Sequence, residues 1–126
     1  DSASPGMTNT TGYAKAFAGS TGSNLSDDYA WYDENSSSKT HPAGTKLANE
    51  LGFHDLSGNV REWAWDWFGT YPTGTQTNYR GPASGTNRVV RGGYCDDSAS
   101  GLAVAVLGSI NPYVRDSSFG FRVVRP

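Results

Sequence analysis

Three tryptophans at alternating positions constrain the fold more than any other feature of this chain. Trp63, Trp65 and Trp67 lie in "NVREWAWDWFG" at a spacing of two residues. Successive side chains of a β-strand point to opposite faces, so this spacing predicts a strand with all three indoles on one face. Tryptophan and phenylalanine also favour strands. We therefore expect an aromatic strand that packs against the core.

Two further segments predict short core strands beside the tryptophan strand. "NRVVRGG" is expected to end at Gly92 and Gly93, and "FGFRVV" alternates Phe119, Phe121 and Val123 on one face. Elsewhere turn residues interrupt the pattern, with 16 glycines and 6 prolines among 126 residues. No helix longer than about two turns is therefore expected.

The composition is that of one folded domain with many loops. The 4 Trp, 7 Tyr and 5 Phe argue against disorder, although residues 1–28 are small and polar and suggest a loosely structured lead-in. A net charge of −2 without a basic stripe disfavours nucleic acid as a partner. No apolar run reaches the ~20 residues of a membrane span.

The residues able to carry chemistry do not form a recognisable catalytic set. His41 and His54 are the only histidines, and neither has a second histidine or a cysteine at a metal-ligand spacing. Cys95 is the only cysteine, and the adjacent Asp96 and Asp97 disfavour its thiolate. We expect structural roles for all three.

The segment "DLSGNVRE" leaves two interpretations open. Asp55 and Glu62 offer hard oxygen ligands for calcium on either side of a glycine-containing turn. Alternatively, Asp55 and Asn59 bond to the backbone of a tight turn and no metal is involved.

Three segments in order, "NELGFHDLSGNVREWAWDWFGTY", "GPASGTNRVVRGG" and "GFRVVRP", resemble the formylglycine-generating-enzyme family from about Ala30 to Pro126. The resemblance implies a C-type-lectin fold of that family's type: α+β, irregular and loop-rich, with short antiparallel strands and little helix. It also implies that residues 1–126 are the C-terminal part of a single domain, whose upstream half would be a partner of this chain.

The resemblance implies that oxidase chemistry is absent. Catalytic members of the family hold copper with two cysteines five residues apart, between the segments matching "RGG" and "GFR". That region contains only Cys95, beside the glycine turn. A sulfoxide-forming branch uses iron held by three histidines, whereas this chain has two. We expect no enzymatic activity and no required cofactor, with a formylglycine-generating-type oxidase as the alternative.

A second branch of the family matches better: the variable proteins of diversity-generating retroelements, which display a mutated patch on the same fold. Adenine-directed mutation in that branch excludes Lys, Glu, Gln, Met and Trp from the varied positions. Residues 94–119 contain none of the five, whereas residues 1–93 contain twelve. At that frequency a segment of this length lacks all five by chance about 3 times in 100.

The resemblance implies a hypervariable region at 94–119 with two kinds of residue. Frame residues are expected at Ala99, Leu102, Val104, Ala105 and Pro112. Cys95 stands where the branch often has tryptophan. An ordinary surface loop is the alternative. The expected display positions are Tyr94, Cys95, Asp96, Asp97, Ser98, Ser100, Gly101, Ala103, Val106, Gly108, Ser109, Ile110, Tyr113, Val114, Asp116, Ser117, Ser118 and Phe119.

Two further expectations depend on the resemblance alone. Some family members coordinate calcium through residues that match Asp55, the carbonyls of Gly58 and Val60, and Glu62. The branch also implies a protein or cell-surface ligand of unknown identity, and a bacterial or phage protein located at the cell surface or outside the cell.

Overall fold

The computed structural model describes residues 15–123, and its elements are short. One helix of four residues and two 3₁₀ turns agree with the expectation that helices would be brief. The α+β, loop-rich architecture predicted from the sequence is confirmed. The elements are the 3₁₀ turn Ser26–Asp28, α1 (Asp33–Ser36), β1 (Arg61–Trp67), β2 (Arg88–Arg91), the 3₁₀ turn Ala99–Leu102, β3 (Leu107–Ile110) and β4 (Phe119–Gly120).

The four strands form one sheet in the order β3-β2-β1-β4. The β1–β2 and β2–β3 pairs are antiparallel, as expected, but β1 and β4 are parallel. Because β3 and β4 lie at opposite edges of the sheet, the segment 111–118 must cross from one edge to the other before β4 begins. This crossing carries the second half of the predicted variable region.

The tryptophan strand forms, but its three indoles do not share one buried environment. Trp63 pairs with Val90 and Trp67 pairs with Arg88. An advance of four residues along β1 therefore corresponds to an advance of only two residues along β2. Such an irregularity breaks the strict alternation of side chains. Trp65 is 85% exposed, so the expectation that it packs in the core is wrong. The guanidinium carbon of Arg88 lies 5.1 Å from the centre of the Trp65 ring and 3.5 Å from the centre of the Trp67 ring.

The C-terminal strand is shorter than its sequence pattern predicts. Only Phe119 and Gly120 pair with β1, and the Phe119 ring packs 5.1 Å from the ring of Trp63. Phe121 and Val123 are 79% and 85% exposed, so the expectation of a longer core strand is wrong. The alternation of apolar residues continues beyond the point at which backbone pairing ends.

The core joins the beginning of the described chain to the predicted variable region. Ala16, Phe17, Ala30, Tyr32 and Leu102 are fully buried in one cluster. The first two belong to the segment expected to be a loose lead-in, so residues 16 and 17 are part of the packed domain. The rest of that lead-in up to residue 14 lies outside the described residues.

A buried serine ties this core to the predicted variable region. The Ser57 hydroxyl donates to the carbonyl of Leu102 at 3.0 Å and accepts from the amide of Ala18 at 3.0 Å. Leu102 is completely buried, and Ala99 packs against the same cluster. Both residues therefore occupy the frame positions expected of them, whereas Pro112 is exposed.

Candidate ligand-binding face

Two consecutive glycines direct the chain from β2 into the predicted variable region. Gly92 and Gly93 have φ angles of 91° and 70°, in the left-handed region that favours glycine. A Cβ at Gly92 would lie 2.8 Å from the carbonyl oxygen of Leu56, and one at Gly93 would lie 3.0 Å from that of Gly101. The turn thus requires a left-handed backbone and close approach of neighbouring carbonyls at both positions. These two requirements explain the paired glycines of "RGG".

The loop that follows is fastened to the frame at Cys95. Its amide donates to the Asn59 carbonyl at 3.1 Å, and its carbonyl accepts from the Ser36 hydroxyl at 2.5 Å. The side chain is buried, and burial, together with the negative charge of Asp96 and Asp97, raises the pKa of the thiol. The structure therefore assigns the Cys95 side chain to the buried frame of the loop.

Four other expected display positions are also held by frame contacts. Arg61 binds the Asp97 carboxylate, and Phe119 packs on Trp63 within β4. A Cβ at Gly101 would lie 3.1 Å from the Cβ of Asp97, and a Cβ at Gly108 would lie 2.7 Å from a methyl group of Val90. We leave Cys95 and these four, Asp97, Gly101, Gly108 and Phe119, out of the candidate binding surface.

The remaining positions differ in exposure. Tyr94, Ala103, Ser109, Ile110 and Ser118 are half-buried. The other eight, which we call the exposed set, project into solvent. The exposed set is Asp96, Ser98, Ser100, Val106, Tyr113, Val114, Asp116 and Ser117.

A surface cavity of about 470 Å³ brings together the two separated parts of the predicted variable region. Its walls are formed by residues 94–96, which follow the glycine turn, and residues 116–118, which precede β4. A third wall comes from residues 38–40, which the sequence analysis did not include. Residues 38–40 are more than 50 positions away from the other two segments in the sequence. Only the tertiary fold places them beside the cavity, so no local pattern could indicate their role.

The cavity wall is polar, and two of its carboxylates are held by hydrogen bonds. Asp96 accepts a hydrogen bond from the Ser38 hydroxyl at 2.7 Å. Asp116 accepts from the amide of Ser118 at 2.8 Å, and hydrogen bonding by Ser118 lowers the pKa of the Asp116 carboxyl. Lys39 adds a positive charge to the same wall. The cavity therefore offers both donors and acceptors to a ligand.

A turn at the edge of the face displays the most exposed tyrosine of the described chain. The Asn111 side chain accepts from the Tyr113 amide at 3.0 Å, and its carbonyl accepts from the Val114 amide at 3.0 Å. The Tyr113 side chain is 89% exposed. Tyrosine supplies a large amphipathic contact area at low cost in conformational entropy, so this position suits a contact residue.

The candidate calcium residues show features of both interpretations. One cavity is lined by Asp55, Val60 and Glu62 but not by Gly58. The Asp55 Oδ1 atom is buried without a hydrogen-bond partner among the described residues, which fits a cation ligand. The Glu62 carboxylate already accepts from Arg122, at 2.7 Å in its shortest contact, so its charge is neutralised. Asp55 fits calcium, whereas Glu62 does not in this arrangement.

The turn interpretation of the same segment has direct support. The Asn59 side chain accepts from the His41 amide at 2.9 Å and donates to the His41 carbonyl at 3.0 Å. The Asp55 Oδ2 atom accepts from the Gly44 amide at 2.7 Å. Side chains of the segment thus brace the neighbouring loop through backbone groups.

Both histidines are engaged in structural contacts. His41 stacks on Trp31 with ring centroids 3.7 Å apart, and its Nε2 lies 2.9 Å from the Ser36 carbonyl. His54 is exposed, with Nδ1 2.8 Å from the Lys46 carbonyl. Within residues 15–123, no three His, Cys, Asp or Glu side chains cluster as metal ligands, and no helix is long and apolar enough to cross a membrane.

Comparison with known proteins agrees with this geometry. The family model described as "Sulfatase-modifying factor enzyme 1-like domain" matches residues 6–126. The chain belongs to the sulfatase-modifying factor family. A solved structure of this fold, "Treponema denticola variable protein 1", superposes with a TM-score of 0.71 at 47% identity, covering 75% of this chain and 35% of that chain. The resemblance to a variable protein on the lectin-like fold of this family is therefore confirmed.

Two curated relatives are a chaperone protein and an enzyme by name. "Chaperone protein LppX" of Paenibacillus barcinonensis is 31% identical over 121 residues, which are 82% of this chain and 40% of that protein. "Formylglycine-generating enzyme" of Streptomyces coelicolor is 35% identical over 88 residues, 66% of this chain and 28% of that protein. The chain thus spans less than half the length of either relative.

Proposed function

We propose that this domain is a non-enzymatic ligand-binding module whose exposed set forms a variable recognition surface. The observation that carries the proposal is the cavity of about 470 Å³, in which residues 94–96 and 116–118 meet although 19 residues separate them. Similarity to the Treponema denticola variable protein supports the same role. The proposed partner is a protein or cell-surface ligand met at the cell surface or outside the cell.

The division between frame and exposed set suits a surface that changes its contacts. Leu102 anchors the region in the core, and Cys95 and Asp97 fasten the loop at its beginning. Solvated side chains make few core contacts, so their replacement is expected to change stability by less than about 0.5 kcal/mol. A rigid frame with tolerant surface positions is also the arrangement of antibody paratopes.

A pair of display libraries tests the binding role. One library randomises the exposed set, and a matched library randomises eight exposed residues of another loop. Both are selected against purified lysozyme and serum albumin as probes. The control positions are Tyr71, Thr73, Thr75, Gln76, Thr77, Ala83, Ser84 and Thr86.

The proposal predicts that the exposed-set library keeps folded display and yields specific binders more often than the control library, because Asp96, Asp116 and Ser117 of the exposed set line the cavity of about 470 Å³. Loss of folded display in the exposed-set library would contradict the proposed tolerance. An equal yield of binders from both libraries would contradict the special role of this surface.

An oxidase activity is the alternative, because a relative in Streptomyces coelicolor is named a formylglycine-generating enzyme. The single cysteine of this chain is buried, and the pKa of its thiol is raised, which opposes thiolate chemistry at Cys95. Oxygen consumption with a cysteine-containing peptide, measured after copper loading, tests this alternative. Copper-dependent consumption that is lost in Cys95→Ala would favour the oxidase and contradict the binding proposal.

We propose calcium at Asp55, Gly58, Val60 and Glu62 on the unpartnered Asp55 oxygen, and such a site requires Glu62 to exchange its contacts with Arg122 for the ion. Calcium would act there as a structural brace. Titration calorimetry with calcium chloride tests the site, with Asp55→Asn as the matched variant. Heat of binding in the parent chain that disappears in the variant is expected, and the absence of heat in the parent chain would contradict the site.

A further inference from the structure

One residue, Arg61, contacts both parts of the predicted variable region. Arg61, the first residue of β1, donates from Nη2 to the two carboxylate oxygens of Asp97 at 2.8 and 3.0 Å. Its guanidinium carbon also lies 4.1 Å from the centre of the Tyr94 ring. The Arg61 and Asp97 side chains are 27% and 24% exposed, so water screens this pair less than a fully exposed one.

The backbone of the same residue holds the second part. The Arg61 amide donates to the Ser118 carbonyl at 2.7 Å, and Arg61 is the partner of Phe119 in the parallel β1–β4 pair. Arg61 therefore fastens residues 94–97 through its side chain and residues 118–119 through its main chain. Tyr94 and Ser118 of these segments both line the cavity of about 470 Å³.

Arg61 also lines one concave surface and contacts the wall of another. The cavity of about 470 Å³ includes Tyr94, whose ring lies over the guanidinium. A second cavity, of about 330 Å³, is lined by Arg61 itself together with Asp97 and Val106. A shift of the guanidinium would change the walls of both cavities at once.

We propose that Arg61 is the positioning residue of the binding surface, holding Tyr94 and Asp97 in place while the neighbouring exposed set changes. This inference rests on the proposed binding function. It adds that some residues beside the binding surface must stay fixed while the exposed set varies. Asp96 can vary because its side chain is exposed and its only side-chain hydrogen bond in the described chain, from Ser38, lies at the surface. Asp97 must stay acidic because it binds Arg61 and accepts from the Tyr94 amide at 3.1 Å.

The chemistry favours arginine over lysine at this position. A planar guanidinium can bind a carboxylate through more than one contact and stack on an aromatic ring, whereas an ammonium acts as a point charge. Arg61→Lys keeps the charge but loses the planar group. Arg61→Met keeps much of the aliphatic stem but removes the charge and the hydrogen bonds. The variant therefore distinguishes the effect of the guanidinium contacts from the effect of side-chain packing.

Two readouts that need no ligand test the proposal in the whole chain. Hydrogen exchange reports the amides of Tyr94 and Asp97, which close the loop through the Asp97 carboxylate and the Tyr94 carbonyl. NMR titration reports the Asp116 carboxyl, whose pKa is lowered mainly by Ser118 and additionally by the charge of Arg61. A residue that only fills space would not change the Asp116 titration.

In Arg61→Met we expect both amides to exchange about tenfold faster, the size of effect of losing a hydrogen bond to a charged group. The pKa of Asp116 should rise. Arg61→Lys should keep the parent pKa of Asp116 and recover part of the exchange protection. Unchanged exchange and unchanged titration in a folded Arg61→Met protein would overturn the proposal.

A second variant covers the case in which Arg61→Met does not fold. Asp97→Asn keeps the side-chain shape but removes the charge, so the Tyr94 amide should again exchange faster than in the parent chain. Exchange identical to the parent in Asp97→Asn would overturn the proposal. The library selections test the binding function separately, so either idea can fail while the other stands.

Discussion

Replacing Leu102 with alanine should destabilise the domain strongly although the residue lies inside the predicted variable region. Its side chain is fully buried with Phe17 and Tyr32. Removing three buried carbons costs about 2.4 kcal/mol in transfer free energy at about 0.8 kcal/mol per carbon. The remaining cavity raises the expected loss in the free energy of unfolding to about 3–4 kcal/mol.

Urea unfolding followed by tryptophan fluorescence measures this change, with Val106→Ala as the matched control. Val106 is four positions away in the same region and is 45% exposed, so its replacement should cost less than about 0.5 kcal/mol. The difference between the two variants is the quantity of interest. Similar losses in both, or a loss below about 1 kcal/mol in Leu102→Ala, would refute the assignment of Leu102 to the frame.

Three further predictions follow from local geometry. Gly108→Val should lower the free energy of unfolding by about 1–3 kcal/mol in urea, since the new Cβ meets the buried Val90; parent-like stability would contradict this. Cys95 in the native protein should react with a disulfide reagent at pH 8 at least about tenfold more slowly than in urea, because burial raises its pKa; equal rates would contradict this. Trp65→Ala should leave stability nearly unchanged, as measured by thermal unfolding, whereas a large loss would indicate that Trp65 packs.

The sequence was sufficient to predict the fold class and the short elements, whereas the variable region at 94–119 stays a prediction. Alternating tryptophans gave the position of β1, and the glycine pair gave the end of β2 within a residue. These features are local, so one sequence reveals them. The family resemblance supplied the lectin-like architecture that local patterns alone do not specify.

The missed features all depend on contacts between distant residues. The register irregularity in β1 exposes Trp65, and no nearby residue signals it. Phe17 enters the core because Leu102 meets it in space. Adjacent Asp96 and Asp97 look equivalent in sequence, yet only Asp97 binds Arg61. Pairing partners far along the chain decide each of these outcomes.

The most direct test of the central claim is to sequence this gene from many closely related strains. The proposed variable surface predicts that amino-acid differences concentrate at the exposed set, and that Arg61, Cys95, Asp97 and Leu102 stay constant. Differences spread evenly over the described chain, or an exposed set identical in every strain, would contradict it.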